Sequence, residues 1–289
     1  MAGAIFRRSN GYTEHDRNME IQGSYGNDKS LLTVKDLHAW YTREKPVLSD
    51  LTVELKEHEV TGLIGLNGAG KTTFIKILSG LHENFSSSGI LLHGHPADLR
   101  SSVFKTCRYT VFSEDDSFQY FTFREYLSYV LAAYKGACGK ERRDKGQGRA
   151  AEGFTAGNIA ELVQGFHFED HTDVLLKDLS TGNKKKAFLI TAFALRPELL
   201  LLDEPVNGLD FQSTEFLYQM ITEYKRYGTI LFSSHILESI TLTADRVLVL
   251  ENGKIRKTFE GNRINAEEIR EALRYENDIQ GSCGKAFGN

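Results

Sequence analysis

The residues best suited to chemistry lie in a few short stretches. The first, 65-GLNGAGKT-72, matches G-x-x-x-x-G-K-[ST] without a gap. Its glycines let the chain wrap so that backbone N–H groups point inward, at a helix N-terminus that favours phosphate. Lys71 would reach the β- and γ-phosphates, and the Thr72 hydroxyl would ligate Mg²⁺. A glycine-rich turn without function is the plainer reading. VTGLI before the motif and TFIKIL after it supply the strand and helix that the motif needs, which weighs against that plainer reading.

The second stretch, 199-LLLLDEPVNGLD-210, delivers two adjacent carboxylates to the end of an apolar strand. In α/β sheets ligands bind at that end. Adjacent acids repel one another, so a nearby cation makes sense of the pair. Asp203 is the candidate Mg²⁺ ligand, and Glu204 the candidate general base acting on water. In the third, 230-ILFSSHILE-238, His235 follows a buried strand. Alone it reads as a capping or surface histidine; beside the other two motifs it is a candidate sensor of the γ-phosphate.

A fourth stretch, 177-KDLSTGNKKK-186, has the small polar residues of a second phosphate site, with three lysines behind them. Taken alone, DLSTGN is an ordinary Ser-capped helix start. Lys184 to Lys186 read as a solvated helix face.

In this order the motifs resemble the ATP-binding cassette (ABC) family, over about residues 31 to 260, with LSTGN standing for the signature LSGGQ. The resemblance implies a P-loop NTPase core with a mixed sheet, an N-terminal antiparallel β region and an inserted helical subdomain, about 114–180. It assigns Gly65, Leu66, Asn67, Gly68, Ala69, Gly70, Lys71, Thr72 and Thr73 to the ATP phosphates, Thr72 and Asp203 to Mg²⁺, and Glu204 and His235 to catalysis. Two cassettes dimerise head to tail in that family. Ser180, Gly182 and Asn183 would therefore bind the γ-phosphate held by a partner, with the helix starting at Lys184 aiming its dipole there. Asn207 to Asp210 resemble the loop that crosses the dimer interface. Tyr41 resembles the aromatic that stacks on adenine, with Trp40 as the alternative. Aligning 122-TFREYL-127 with the family's T-V-R-E-N-L puts Ser113 where a glutamine usually ligates Mg²⁺; a shift of one residue offers Glu114. Thr181 and Asn183 also depart from the signature.

The function implied is an ATPase subunit, peripheral at the cytoplasmic face of the membrane, that works with a second cassette (homodimer or heterodimer) and powers a separate integral membrane permease. The LSTG form and the missing Gln lean towards export of a drug, lipid or peptide. The alternative is a soluble non-transport cassette acting as a cofactor-assembly scaffold. Phe118, Tyr120 and Phe121 are aromatics available for permease contact.

The elements that must position these residues follow from patterning. LLTVKDL, VLSDLTVEL, ILLHG and RYTVF read as strands, LLLLDEP and TILFSSH as strands buried on both faces. DRVLVLENGKIRKTF is a hairpin turning at Asn252-Gly253. In 122–134, Phe123, Leu127, Val130, Leu131 and Tyr134 share one helical face, and NIAELVQGF and KKKAFLITAFALR continue the helices. Residues 1–30 read as a flexible extension, 135–157 as a solvated loop and 261–289 as a short helix and tail. The alternation of strand and helix makes the class α/β.

Composition narrows the function. With 289 residues, 40% hydrophobic, the chain can bury a large core, and a net charge of -4 argues against a nucleic-acid reader working through a basic surface. Cys107, Cys138 and Cys283 are widely spaced and read as reduced thiols. No apolar run approaches the about 20 residues of a bilayer span, and no signal peptide is expected. His93/His95 and His167/His171 lack a third ligand and read as surface histidines.

Overall fold

The computed structural model describes residues 29–42, 44–141 and 156–273. The expectation for 1–30 falls almost wholly outside them, as do the middle of 135–157 and the chain beyond 273. Two sheets form the frame. The first is antiparallel: β1 (Ser30–Thr42) pairs with β2 (Lys45–Lys56), β4 (Phe85–Ser86) and β5 (Gly89–Leu92), and β5 pairs with β6 (His95–Pro96). On β2, Leu48, Leu51, Val53 and Leu55 are buried and polar residues alternate outward, as expected of a sheet with one dry face.

The second sheet has the order β11-β10-β3-β9-β8-β7. Its strands β3 (Val60–Ile64), β7 (Arg108–Val111), β8 (Leu199–Asp203), β9 (Thr229–Ser234) and β10 (Arg246–Glu251) are parallel, and β11 (Lys254–Glu260) closes one edge antiparallel. The β10–β11 turn has Asn252 at φ 47° and Gly253 at φ 75°, the left-handed pair that a tight hairpin requires.

The leucine run of β8 shows why this sheet is dry on both sides. Leu199 and Leu201 join one core with β1, β2, α1 (Lys71–Leu78) and α2 (Ser102–Cys107). Leu200 and Leu202 join the other, with α3 (Phe123–Glu141), α4 (Ala156–Gly165), α5 (Thr181–Leu195) and α6 (Phe211–Glu223). A short helix, α7 (Leu237–Thr243), and a helical stretch at 266–273 complete the described chain.

Two local expectations are corrected. Helix α3 runs past Tyr134 to Glu141, into the segment read as a solvated loop. Its apolar face ends earlier, but a helix already nucleated adds one hydrogen bond per residue, and Lys135, Ala137, Lys140 and Glu141 offset the two glycines between them. Helix α5 starts at Thr181 and not at Lys184, because the Ser180 hydroxyl accepts from the Asn183 amide at 3.2 Å and nucleates the turn there. Among the described residues no helix is long and apolar enough to cross a membrane.

Candidate functional site

The parallel register sets Ile64 level with Ser234, and Asp203 level with Ser233. The ends of β3, β8 and β9 therefore open side by side, and each hands over one motif. After β3 the chain wraps through Gly65–Gly70 into α1. Gly70 sits at φ 109°, a conformation that side chains rarely adopt, and a Cβ there would also displace the end of the Leu48 side chain. Lys71 is buried, and its Nζ donates to the Gly65 carbonyl at 2.8 Å and the Leu66 carbonyl at 3.3 Å. It also faces Glu204 Oε1 at 3.4 Å.

Asp203, the last residue of β8, is fully buried. Its carboxylate accepts from the Thr72 hydroxyl at 3.0 and 3.1 Å, from Ser233 Oγ at 2.7 Å and from Ser113 Oγ at 3.5 Å. A buried carboxylate surrounded by neutral hydroxyls fits a hard divalent cation such as Mg²⁺, which prefers oxygen ligands and one or two carboxylates.

At Glu204 the strand breaks into the left-handed region, φ 48°. For a residue with a Cβ this costs about 1–2 kcal/mol. The kink turns Glu204 Oε2 to within 2.7 Å of His235 Nδ1 and leaves Oε1 towards Lys71. Its amide donates to Ser233 Oγ at 3.0 Å.

Lys71, Thr72, Glu204 and His235 border a cleft of about 590 Å³ that also includes Asn67, Gly68, Thr73, Ser113 and Glu114, with Asp203 buried behind Thr72. Ser113 and Glu114 both reach it. Tyr41 lines it while Trp40 does not; the Tyr41 hydroxyl lies 3.2 Å from Thr73 Oγ1, and its ring meets the His82 ring edge-on at 5.3 Å. Within the loop Leu66 is exposed and Ala69 is packed into the core.

The STGN turn is placed differently. Ser180, Gly182 and Asn183 do not line this cleft; only Thr181 does. Asn183 Nδ2 donates to His171 Nε2 at 2.9 Å, so His171 belongs to this turn and not to a metal set with His167. His93 is likewise taken up, 3.1 Å from Glu57 and 2.9 Å from Glu198. Cys107 is a free, buried thiol whose pKa burial pushes up to about 12.

The three lysines after the turn overturn the reading of a solvated face. Lys185 and Lys186 are both buried. Lys185 Nζ donates to the Glu204 carbonyl at 3.0 Å, and burial holds its pKa below the usual lysine value, against the pull of Asp203, Glu204 and Glu114. Lys186 pairs with Asp210 at 2.6 Å, and Lys184 with Asp116 at 2.8 Å. Asp210 also caps α6 by accepting from the Ser213 amide. Burial opposes its ionisation, but the hydrogen bonds from Lys186 and Ser213 outweigh that and keep the carboxyl below its ordinary range. No pattern in KKK marks two of the three as buried, because their acidic and carbonyl partners come from a distant strand end and loop. Ser233 also escaped the sequence reading, although a serine one residue from the end of an apolar strand is a usable signal.

Comparison with known proteins places this geometry. A family model described as ABC transporter matches residues 48–207. The chain is 35% identical over 235 residues to the putative ABC transporter ATP-binding protein AlbC of Bacillus subtilis, covering 80% of this chain and 92% of that protein. It is 33% identical over 233 residues to the ABC-type transporter ATP-binding protein EcsA of the same organism, covering 78% and 86%. A solved structure of an ATP binding subunit of an ABC transporter superposes with a TM-score of 0.68 at 28% identity, covering 86% of this chain and 98% of that one. The chain belongs to the ABC transporter ATP-binding family, whose activity is ATP hydrolysis.

Proposed function

We propose that the chain is the ATP-hydrolysing subunit of a transporter: it pairs with a second cassette and drives a separate integral membrane permease from the cytoplasmic face. The observation that carries this is the split between the cleft and the turn. Lys71, Thr72, Glu204 and His235 converge on one cleft, with Asp203 buried directly behind Thr72, while Ser180, Gly182 and Asn183 sit outside it, where a second cassette's nucleotide would meet them.

In this reading Gly65 to Thr73 wrap the phosphates with backbone N–H groups, and Lys71 leaves its carbonyls to take phosphate oxygens. Tyr41 stacks on the base. Thr72, Asp203 and Ser113 would hold Mg²⁺, which when bound neutralises charge on the β- and γ-phosphates. Glu204 accepts the proton of the attacking water. His235, hydrogen-bonded to Glu204, orients its carboxylate and touches the γ-phosphate. From the partner's side Ser180, Gly182 and Asn183 close on that phosphate.

Permease contact would fall on the aromatics between β7 and α3. Phe118 and Tyr120 are exposed there, as is Tyr129 on α3; Phe121, read from sequence as equally available, is half-buried against the core because its ring packs on Phe118 and Tyr129. Export is proposed from the LSTGN form of the turn and from Ser113 in the usual Gln position.

Pull-down of the tagged chain from detergent-solubilised membranes tests the transporter reading, with an integral membrane protein expected in stoichiometric yield. Recovery of water-soluble partners alone would defeat it.

A further inference from the structure

We propose that Lys185 is a positioning residue for Glu204, pinning the backbone kink that aims this carboxylate into the cleft. The inference rests on the assignment of Glu204 as general base. Glu204 holds a left-handed φ of 48°, which a residue with a Cβ leaves readily unless its neighbours prevent it. Two side chains grip the residue's backbone. Ser233 Oγ accepts from its N–H at 3.0 Å, and Lys185 Nζ donates to its C=O at 3.0 Å. Without Lys185 the carbonyl keeps only the longer bond from the Asn207 amide at 3.3 Å, so the kink can relax towards ordinary φ and the carboxylate then leaves Lys71 and His235.

Packing does not explain this lysine. Lys185 is 4% exposed, and taking an ammonium out of water is costly, whereas methionine fills similar space without that cost. Its amine instead faces the Glu204 carbonyl, within electrostatic reach of Asp203, Glu204 and Glu114. It is also two residues after Asn183 on α5. The helix that opens at the STGN turn therefore also grips the candidate base.

The test compares Lys185→Met, Lys185→Arg, Glu204→Gln and the double variant Lys185→Met/Glu204→Gln in the full chain, by ATPase kinetics, nucleotide titration and thermal melting. Displacing a reacting group by about 1 Å costs on the order of 10²-fold, so Lys185→Met should lower kcat by about that factor. KM and ATP affinity should stay within about twofold, since only the chemical step is touched. Lys185→Arg, which keeps a charged donor, should recover most of the loss. On the Glu204→Gln background Lys185→Met should add less than about twofold, because both act through one carboxylate. A wild-type kcat in Lys185→Met, or losses that multiply in the double variant, would overturn the positioning role and leave the base assignment intact. Full turnover by Glu204→Gln would remove the base, and with it the role of Lys185. Should Lys185→Met melt below the assay temperature, Lys185→Gln, one atom too short to reach the carbonyl, takes its place with the same expectations.

Discussion

Gly182 and Gly208 meet backbone to backbone: a Cβ built on Gly182 would collide with the Gly208 carbonyl oxygen. The STGN turn is thus seated on the loop that leads away from Glu204, and its glycine is needed for close approach as well as for any phosphate. Gly182→Ala should destabilise the chain by about 1–3 kcal/mol, the usual cost of overpacking a tight contact. Thermal melting reads this, with Gly89→Ala as control, since nothing lies near a Cβ there. Equal melting temperatures for the two variants would show that the loop yields freely.

The Ser180 hydroxyl caps α5 in its own chain and stays out of its own cleft. Ser180→Arg should lose the cap, worth about 1 kcal/mol, and abolish ATPase activity. ATP affinity of the monomer should not change. A weaker monomer affinity would place the turn in its own chain's site and sink the two-cassette arrangement.

Thr72 Oγ1 reaches both oxygens of Asp203. Thr72→Val keeps the shape and deletes the hydroxyl. The Mg²⁺ concentration for half-maximal turnover should rise by about 10–100-fold, while ATP binding in excess EDTA stays the same. An unaltered Mg²⁺ requirement would exclude Thr72 from the cation site.

His93 bridges Glu57, just after β2, and Glu198, just before β8, and so ties the antiparallel layer to the parallel sheet. The hydrogen bond to Glu198, then the charges of both glutamates, raise its pKa above 6.5 despite partial burial. A raised histidine stabilises the fold fully below its unfolded value and loses that contribution as pH climbs through the folded one. The gap in melting temperature between wild type and His93→Asn, which tolerates the left-handed φ, should therefore shrink from about pH 5.5 to about pH 8.5. A gap that widens with pH would contradict the bridge.

What the sequence determined by itself was whatever depends on neighbours in the chain. The P-loop is legible because one strand, one glycine turn and one helix are contiguous. The four leucines of β8 declare burial on both faces, and Asn252-Gly253 declares the hairpin through its φ angles. Tertiary structure alone decided the rest. Lys185 and Lys186 resemble any surface run until α5 packs against the end of β8 and the loop beyond it, where Glu204 and Asp210 wait. Ser113 reaches Asp203 only because β7 and β8 are neighbours in the sheet. The strained φ of Glu204 has no signature in LLLLDEP; it is sustained by contacts from β9 and α5. A side chain's burial and a kink's persistence are set by partners far along the chain, and those are fixed only when the sheet order is.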